Sequence, residues 1–156
     1  MPRFRPAVTG DAYWVNRHLR EADRQETIAL GLEPLAAILM SLRAGPSWVC
    51  VDDAGFPFAL FGQGDASPWM VGTDDIETNW RWFLRNTPEV IRLVQGDHPL
   101  ISNAVDARNT RHVRWLAWAG FTLDRPITSP QGLEFIPFHR RHPCASQALG
   151  PSSRPA

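Results

Sequence analysis

The chain has 156 residues, with 16 Lys+Arg against 16 Asp+Glu, and every one of those bases is arginine. The missing lysine excludes a lysine-dependent phosphate-loop NTPase, a kinase of the usual design and Schiff-base or pyridoxal chemistry. Zero formal net charge argues against long-range attraction to nucleic acid or anionic lipid, while 44% hydrophobic residues suffice for the core of one domain.

Phe4–Ala7 predicts a first strand, followed by a helix from Ala12 to about Glu21 that Thr9 and Asp11 are placed to cap. The stretch READRQE reads as charged and solvated, and Gly31 breaks it. Pro34 then opens a second helix with Leu35, Ile38, Leu39 and Leu42 at helical spacing, closed by Gly45-Pro46. Three short strands follow as an antiparallel meander: Trp48–Val51, Phe58–Gly62 and Trp69–Gly72. A helix from Trp80 to about Gln95 is expected to kink or divide at Pro88. Leu100–Val105 is the next strand, Thr110–Ala119 a helix stopped by Gly120, and Phe121–Leu123 and Leu133–Phe138 the last strands. The domain is expected to span 1–138, with 139–156 a polar, Pro/Ser-rich tail.

The fold class is therefore α+β. Its element order, joined to LISNAVDARNTRHVRWLAWAGF, resembles the GCN5-related N-acetyltransferase (GNAT) fold, in which an Asn after a strand precedes a Gly-Phe pair by eleven and twelve positions, as Asn109 precedes Gly120-Phe121. READR, VGTDDI, NAVDARN and RWLAWAGF together look like the small GNAT-like proteins of podovirus-type phages, the internal virion protein A family. The resemblance covers about Phe4 to Phe138. It implies a mixed, mostly antiparallel central sheet with helices on both faces.

The resemblance also implies where acetyl-CoA chemistry would lie. The family's pyrophosphate turn, Q/R-x-x-G-x-G/A, would fall on Gly72–Asn79, because a helix N-terminus offers unpaired N–H groups and glycine lets a phosphate approach. Here no glycine follows Gly72, and Asp74, Asp75 and Glu77 stand where the phosphates would sit. Each such like-charge approach costs on the order of 1 kcal/mol. These acids read instead as caps and helix-dipole partners. The family's acid, a Tyr seven positions after the Asn, is replaced by Leu116, and the only tyrosine is Tyr13. No Glu stands on Trp69–Val71, which leaves His112 and Asp106 as weak candidates for a catalytic base.

Arg108, Arg111 and Arg114 recur every third residue and read either as a solvated, acid-paired face or as a phosphate-meeting edge. Trp80 and Trp82 cannot share a helix face, so one of them is a candidate interface anchor, with Arg114 beside it. His139, His142 and Cys144 lack a fourth ligand, so no metal site is expected, and Cys50 and Cys144 do not read as a disulfide. Asn103 and Asp106 bracket the strand that splays in this fold, and either can serve its backbone.

The sequence thus favours a non-enzymatic phage protein acting in virion structure or morphogenesis, with phage structural proteins as partners and no bound cofactor. It would reside in the host cytoplasm during infection or in the virion, with no membrane span and no strong nucleic-acid signal. The alternative is an acetyl-CoA-dependent N-acetyltransferase with an atypical turn. On that reading Met70, Val71, Thr73, Asp74, Asp75, Ile76, Asn109, Arg108 and Arg111 hold the cofactor.

Overall fold

A computed structural model describes residues 1–144 of the chain. In order it comprises β1 (Arg3–Pro6), α1 (Thr9–Arg17), α2 (Glu21–Ala29), α3 (Pro34–Ala44), β2 (Ser47–Val51), β3 (Pro57–Gly64) and β4 (Ser67–Gly72). A 3-10 turn at Asp74–Ile76 leads to α4 (Trp80–Gln95), β5 (Leu100–Asp106), α5 (Thr110–Trp118), β6 (Thr122–Leu123), β7 (Ile127–Thr128) and β8 (Glu134–Arg141). The architecture is α+β, as the sequence led us to expect. No single helix among the described residues is long and apolar enough to cross a membrane.

The strands form two antiparallel sheets, one ordered β1-β2-β3-β4 and the other β5-β8-β6, with β7 pairing β8. The nearly uninterrupted apolar run of β3 is buried on both faces, as a central strand requires. On one face Phe58, Phe61, Phe83, Val90, Val94 and Leu116 pack with α4 and α5. On the other, Val15, Ile38, Val49, Val51 and Leu60 pack with α1 and α3. The sheets touch where β4 and β5 begin, through Ser102 N–H to Ala66 O at 3.1 Å and the Asn103 amide to Pro68 O at 2.8 Å. Beyond that the two strands part.

Four sequence expectations are corrected. The READRQE stretch is not a solvated connection but most of α2, and its Asp23 is buried. The first helix accordingly ends at Arg17. Of the kink and the division expected at Pro88, the division does not occur, and α4 runs on through it. Asn86 and Thr87 donate side-chain bonds to the Trp82 and Phe83 carbonyls in the turn before the proline, whereas the ladder bond that Pro88 cannot make is the one to the Leu84 carbonyl. The last strand extends to Arg141, past the expected boundary at 138, because Arg140 and His139 continue to pair with Ile101 and Ser102. The rest of the expected tail, 145–156, lies outside the described residues.

Gly45, between α3 and β2, has no room for a side chain: a Cβ there would stand 2.2 Å from the Gln63 carbonyl oxygen. Gly45→Ala must push apart the α3–β2 corner and β3. It is expected to cost about 1–3 kcal/mol, the usual range for overpacking, measured as a lowered midpoint in urea.

Candidate active site

The parting of β4 and β5 leaves backbone groups that would otherwise pair. Thr73 N–H donates to Phe58 O, so by antiparallel alternation Gly72 and Met70 turn their N–H groups away from β3, toward β5. On β5 the residues turned toward the gap are Ser102, Ala104 and Asp106. Helix α2 closes part of this gap with two carboxylates one turn apart. Asp23 Oδ2 accepts from Gly72 N–H at 2.9 Å, and Glu26 Oε1 accepts from Asp106 N–H at 2.6 Å. Asn109, buried at the start of α5, donates its amide to Asp23 at 3.0 Å and to Glu26 at 3.2 Å. Met70 N–H has no partner among the described residues.

His112, one turn into α5, completes the group. One ligand atom each of Asp23, Glu26 and His112 lies within 4.8 Å of the other two. Such a triad has the spacing to take a cation, and its two carboxylates accept four protein N–H bonds between them. Charge is distributed unevenly among the acids. Arg20 lies 3.6 Å from Asp23, and Arg108 binds Asp106 through two guanidinium nitrogens. That hydrogen bonding to Arg108 holds Asp106 below the usual carboxylate range. Glu26 has no such cation; desolvation outweighs its hydrogen bonds from Asp106 N–H and Asn109 and raises it to about 7. Desolvation likewise lowers His112 from its ordinary value, against the opposing charge of Asp23.

Two clefts open from this cluster. The first, about 440 Å³, lies between the start of α4 and α5 and is lined by Arg20, Ile76, Glu77, Trp80, Arg111 and Trp115, among others. An exposed Arg111–Glu77 ion pair spans its mouth. The second, about 190 Å³, lies under α2 and α3 and includes Asp23, Glu26, Leu30 and Trp69. Met70 and His112 line both clefts, so the two meet at the divergence of the strands.

Of the residues expected to hold a cofactor, Met70, Ile76 and Arg111 line the larger cleft. Val71 lines the smaller one, and Asn109 sits between the α2 carboxylates. Thr73 is buried, bridging to Leu19 and capping the 3-10 turn by accepting from Asp75 N–H. Asp74 and Asp75 are exposed and away from the cleft, so the expected repulsion by the turn reduces to Glu77, which Arg111 neutralises. Arg108, a candidate phosphate ligand, pairs with Asp106, and Asp106, a catalytic candidate, is buried; neither lines either cleft. Trp82 is corrected from interface to core: its ring packs on Phe4 at 4.8 Å and on Phe58 at 5.9 Å. Trp80 is 49% exposed, but it lines the cleft. Arg114 is exposed outside it, and Leu116 is core. The sequence reading missed Asp23, Glu26 and Arg20, although the i, i+3 spacing of two acids places them on one helix face.

Neither a protein-family model nor a curated protein matches the chain. Solved structures do. A candidate acetyltransferase of Acinetobacter baylyi ADP1 superposes with a TM-score of 0.64 at 16% identity, over 91% of this chain and 93% of that one. The aminoglycoside acetyltransferase AAC(6')-Ib, solved with ribostamycin and coenzyme A, gives 0.64 at 13%, over 97% and 99%. The ribosomal-protein-S18-alanine N-acetyltransferase of Escherichia coli gives 0.60 at 12%, over 90% and 94%. At these identities the likeness concerns the fold, which is the GNAT fold; it carries nothing toward a phage or virion role.

The raised Glu26 pKa has a consequence for stability. Between its ordinary 4.5 and about 7 the folded protein keeps a proton that the unfolded chain has released. Stability therefore falls as pH rises through that window and levels off above it. Glu26→Gln keeps an oxygen for Asp106 N–H and removes the titration. Urea midpoints measured across the window are expected to shift in the variant's favour toward its upper end; a constant difference would count against a raised Glu26.

Proposed function

We propose that the protein is an acetyl-CoA-dependent N-acetyltransferase. The observation that carries this reading is the meeting of two clefts at Met70 and His112, beside a strand N–H with no partner and a carboxyl poised near neutrality. A transferase needs two substrates brought together from separate entrances, and a pKa near the working pH suits a general base.

The residues present fit the cofactor. Arg111 and Arg20 give the larger cleft its cations, and Asn79 makes no side-chain cap at α4, whose first N–H groups therefore remain available to a phosphate. Ile76, Phe83, Leu84 and Trp115 supply apolar wall for a pantetheine arm. Acetyl-CoA, when bound, supplies a thioester carbonyl at which an amine nitrogen forms a C–N bond while the C–S bond breaks and the sulfur takes up a proton. Glu26 would accept the proton that the incoming ammonium must lose. Met70 N–H would donate to the acyl oxygen, where negative charge develops. His112 holds the wall between the clefts, and Asn109 fixes both carboxylates in place.

The similarity of AAC(6')-Ib, a structure containing coenzyme A, supports this reading over the virion one. Trp80, the exposed member of the Trp80/Trp82 pair, lines the cleft. The phage resemblance rests on sequence segments alone.

Calorimetry with acetyl-CoA is expected to give micromolar binding, weakened roughly tenfold or more by Arg111→Ala, about 1.4 kcal/mol. No binding at millimolar cofactor would sink the reading. Glu26→Gln is expected to leave that affinity nearly unchanged while lowering kcat by about 10²–10⁴, the usual contribution of a general base. The wild-type kcat/KM should rise with pH through an apparent pKa close to that of Glu26, about 7.

A further inference from the structure

The smaller cleft has a chemistry that selects among amines. At its inner end stand Asp23 and Glu26. Each accepts two N–H bonds from the protein, out of about four lone-pair sites on a carboxylate, so each retains capacity for an ammonium. The walls are Thr27, Leu30, Leu32, Ala37, Ile38 and Trp69, among others. No arginine lines this cleft, and the chain has no lysine. Arg20, the cation nearest Asp23, lines the larger cleft instead.

Size and rim narrow the choice further. The cleft holds about 190 Å³, below the roughly 300–1,000 Å³ of sites for drug-sized ligands. Its outer wall includes Leu30 and Leu32, which are 57% and 44% exposed. Exposed leucines and a buried acid, Asp23, with Glu26 beside it in the same lining, make an amphipathic receptor, with Thr27, Ser41 and Asn103 among its uncharged polar groups.

We infer that the acceptor is a small monoamine with an apolar body, of the arylalkyl or branched-alkyl class, its ammonium on Asp23 and Glu26 and its body between Leu30, Leu32 and Trp69. A free amino acid is disfavoured because its carboxylate would find no cation and two carboxylates facing it. A diamine or an aminoglycoside is disfavoured because a second ammonium would lie on leucine and isoleucine without a counter-charge. A peptide N-terminus would bring its polar backbone against the same apolar rim. The inference takes its reaction from the acetyltransferase reading, but the amine site stands on its own geometry.

The test therefore reads binding and turnover separately. The full chain without cofactor is titrated by ligand-observed NMR with phenethylamine, isopentylamine, putrescine, leucine and an alanine-initiated tetrapeptide. The same panel is assayed for CoA thiol release. Phenethylamine and isopentylamine are expected to bind at least tenfold more tightly than the other three and, with acetyl-CoA present, to be the preferred acceptors. Leu30→Asp, at a side chain that is 57% exposed and with folding checked by its urea midpoint, is expected to reverse the preference between phenethylamine and putrescine. Equal or tighter binding of putrescine, leucine or the tetrapeptide, or an unchanged preference in Leu30→Asp, overturns the inference. Selective amine binding with no acetyl-CoA binding overturns the acetyltransferase reading and leaves the amine site standing.

Discussion

Two strands that start together and then part create a debt of unpaired backbone groups, and the molecule's functional surface follows from how that debt is met. A buried donor left without an acceptor costs about 1–3 kcal/mol. Gly72 and Asp106, at the far ends of β4 and β5, both present an N–H to the gap, and α2 meets both with carboxylates. Asn109 ties the two carboxylates together from α5. One helix face, one amide and two strand ends thus hold the two sheets at a fixed opening. Met70, where the gap remains open, is where the clefts join.

Satisfying backbone with carboxylates concentrates negative charge, and its neutralisation is unequal. Arg108 forks onto Asp106, and Arg20 stands near Asp23. Glu26 is left with N–H donors alone. Desolvation then dominates, and its pKa rises to about 7. The residue that completes the β5 edge is therefore also the one able to exchange a proton near neutrality. An all-arginine inventory sharpens the contrast, since guanidinium stays charged and fixes its partners as carboxylates. The acid without an arginine is the one free to titrate.

The element order, apart from α2 and β7, was legible because the strands alternate Gly- and Asp-marked turns with apolar runs, and because Pro34 and Gly120 mark helix ends by local geometry. Gly120, with φ of +94°, needs the conformation that glycine adopts most freely. The site was legible only in part. READRQE looks solvated because its average polarity is high, whereas only one face, carrying Asp23 and Glu26, turns inward to the strand ends. No periodicity of apolar residues marks such a face. Arg108 and Arg111 look equivalent in sequence, yet three residues of helix separate one that binds Asp106 from one that reaches Glu77 across the cleft. Trp80 and Trp82 were correctly assigned to different faces, but which of them turns to the core depended on Phe4 and Phe58, distant in sequence.

The motifs missing from this GNAT fold also have a physical reading. A glycine-rich turn serves a phosphate by exposing N–H groups and removing side chains from its path. Here the 3-10 turn at Asp74–Ile76 keeps its side chains, but Asp74 and Asp75 are exposed and do not line the cleft, and no side chain of Asn79 caps the start of α4. Arg111 then supplies on α5 the positive charge that the turn lacks, held meanwhile by Glu77. An exposed ion pair of this kind is worth at most about 1 kcal/mol, less than a dianionic pyrophosphate can return through a charge-assisted fork. A weak internal partner keeps the arginine ordered at the mouth without making it costly to release. The same economy applies at position 116: leucine there serves the core, and on the proposed acetyltransferase reading the proton would pass to Glu26, which the parting of the strands had already drawn to the gap.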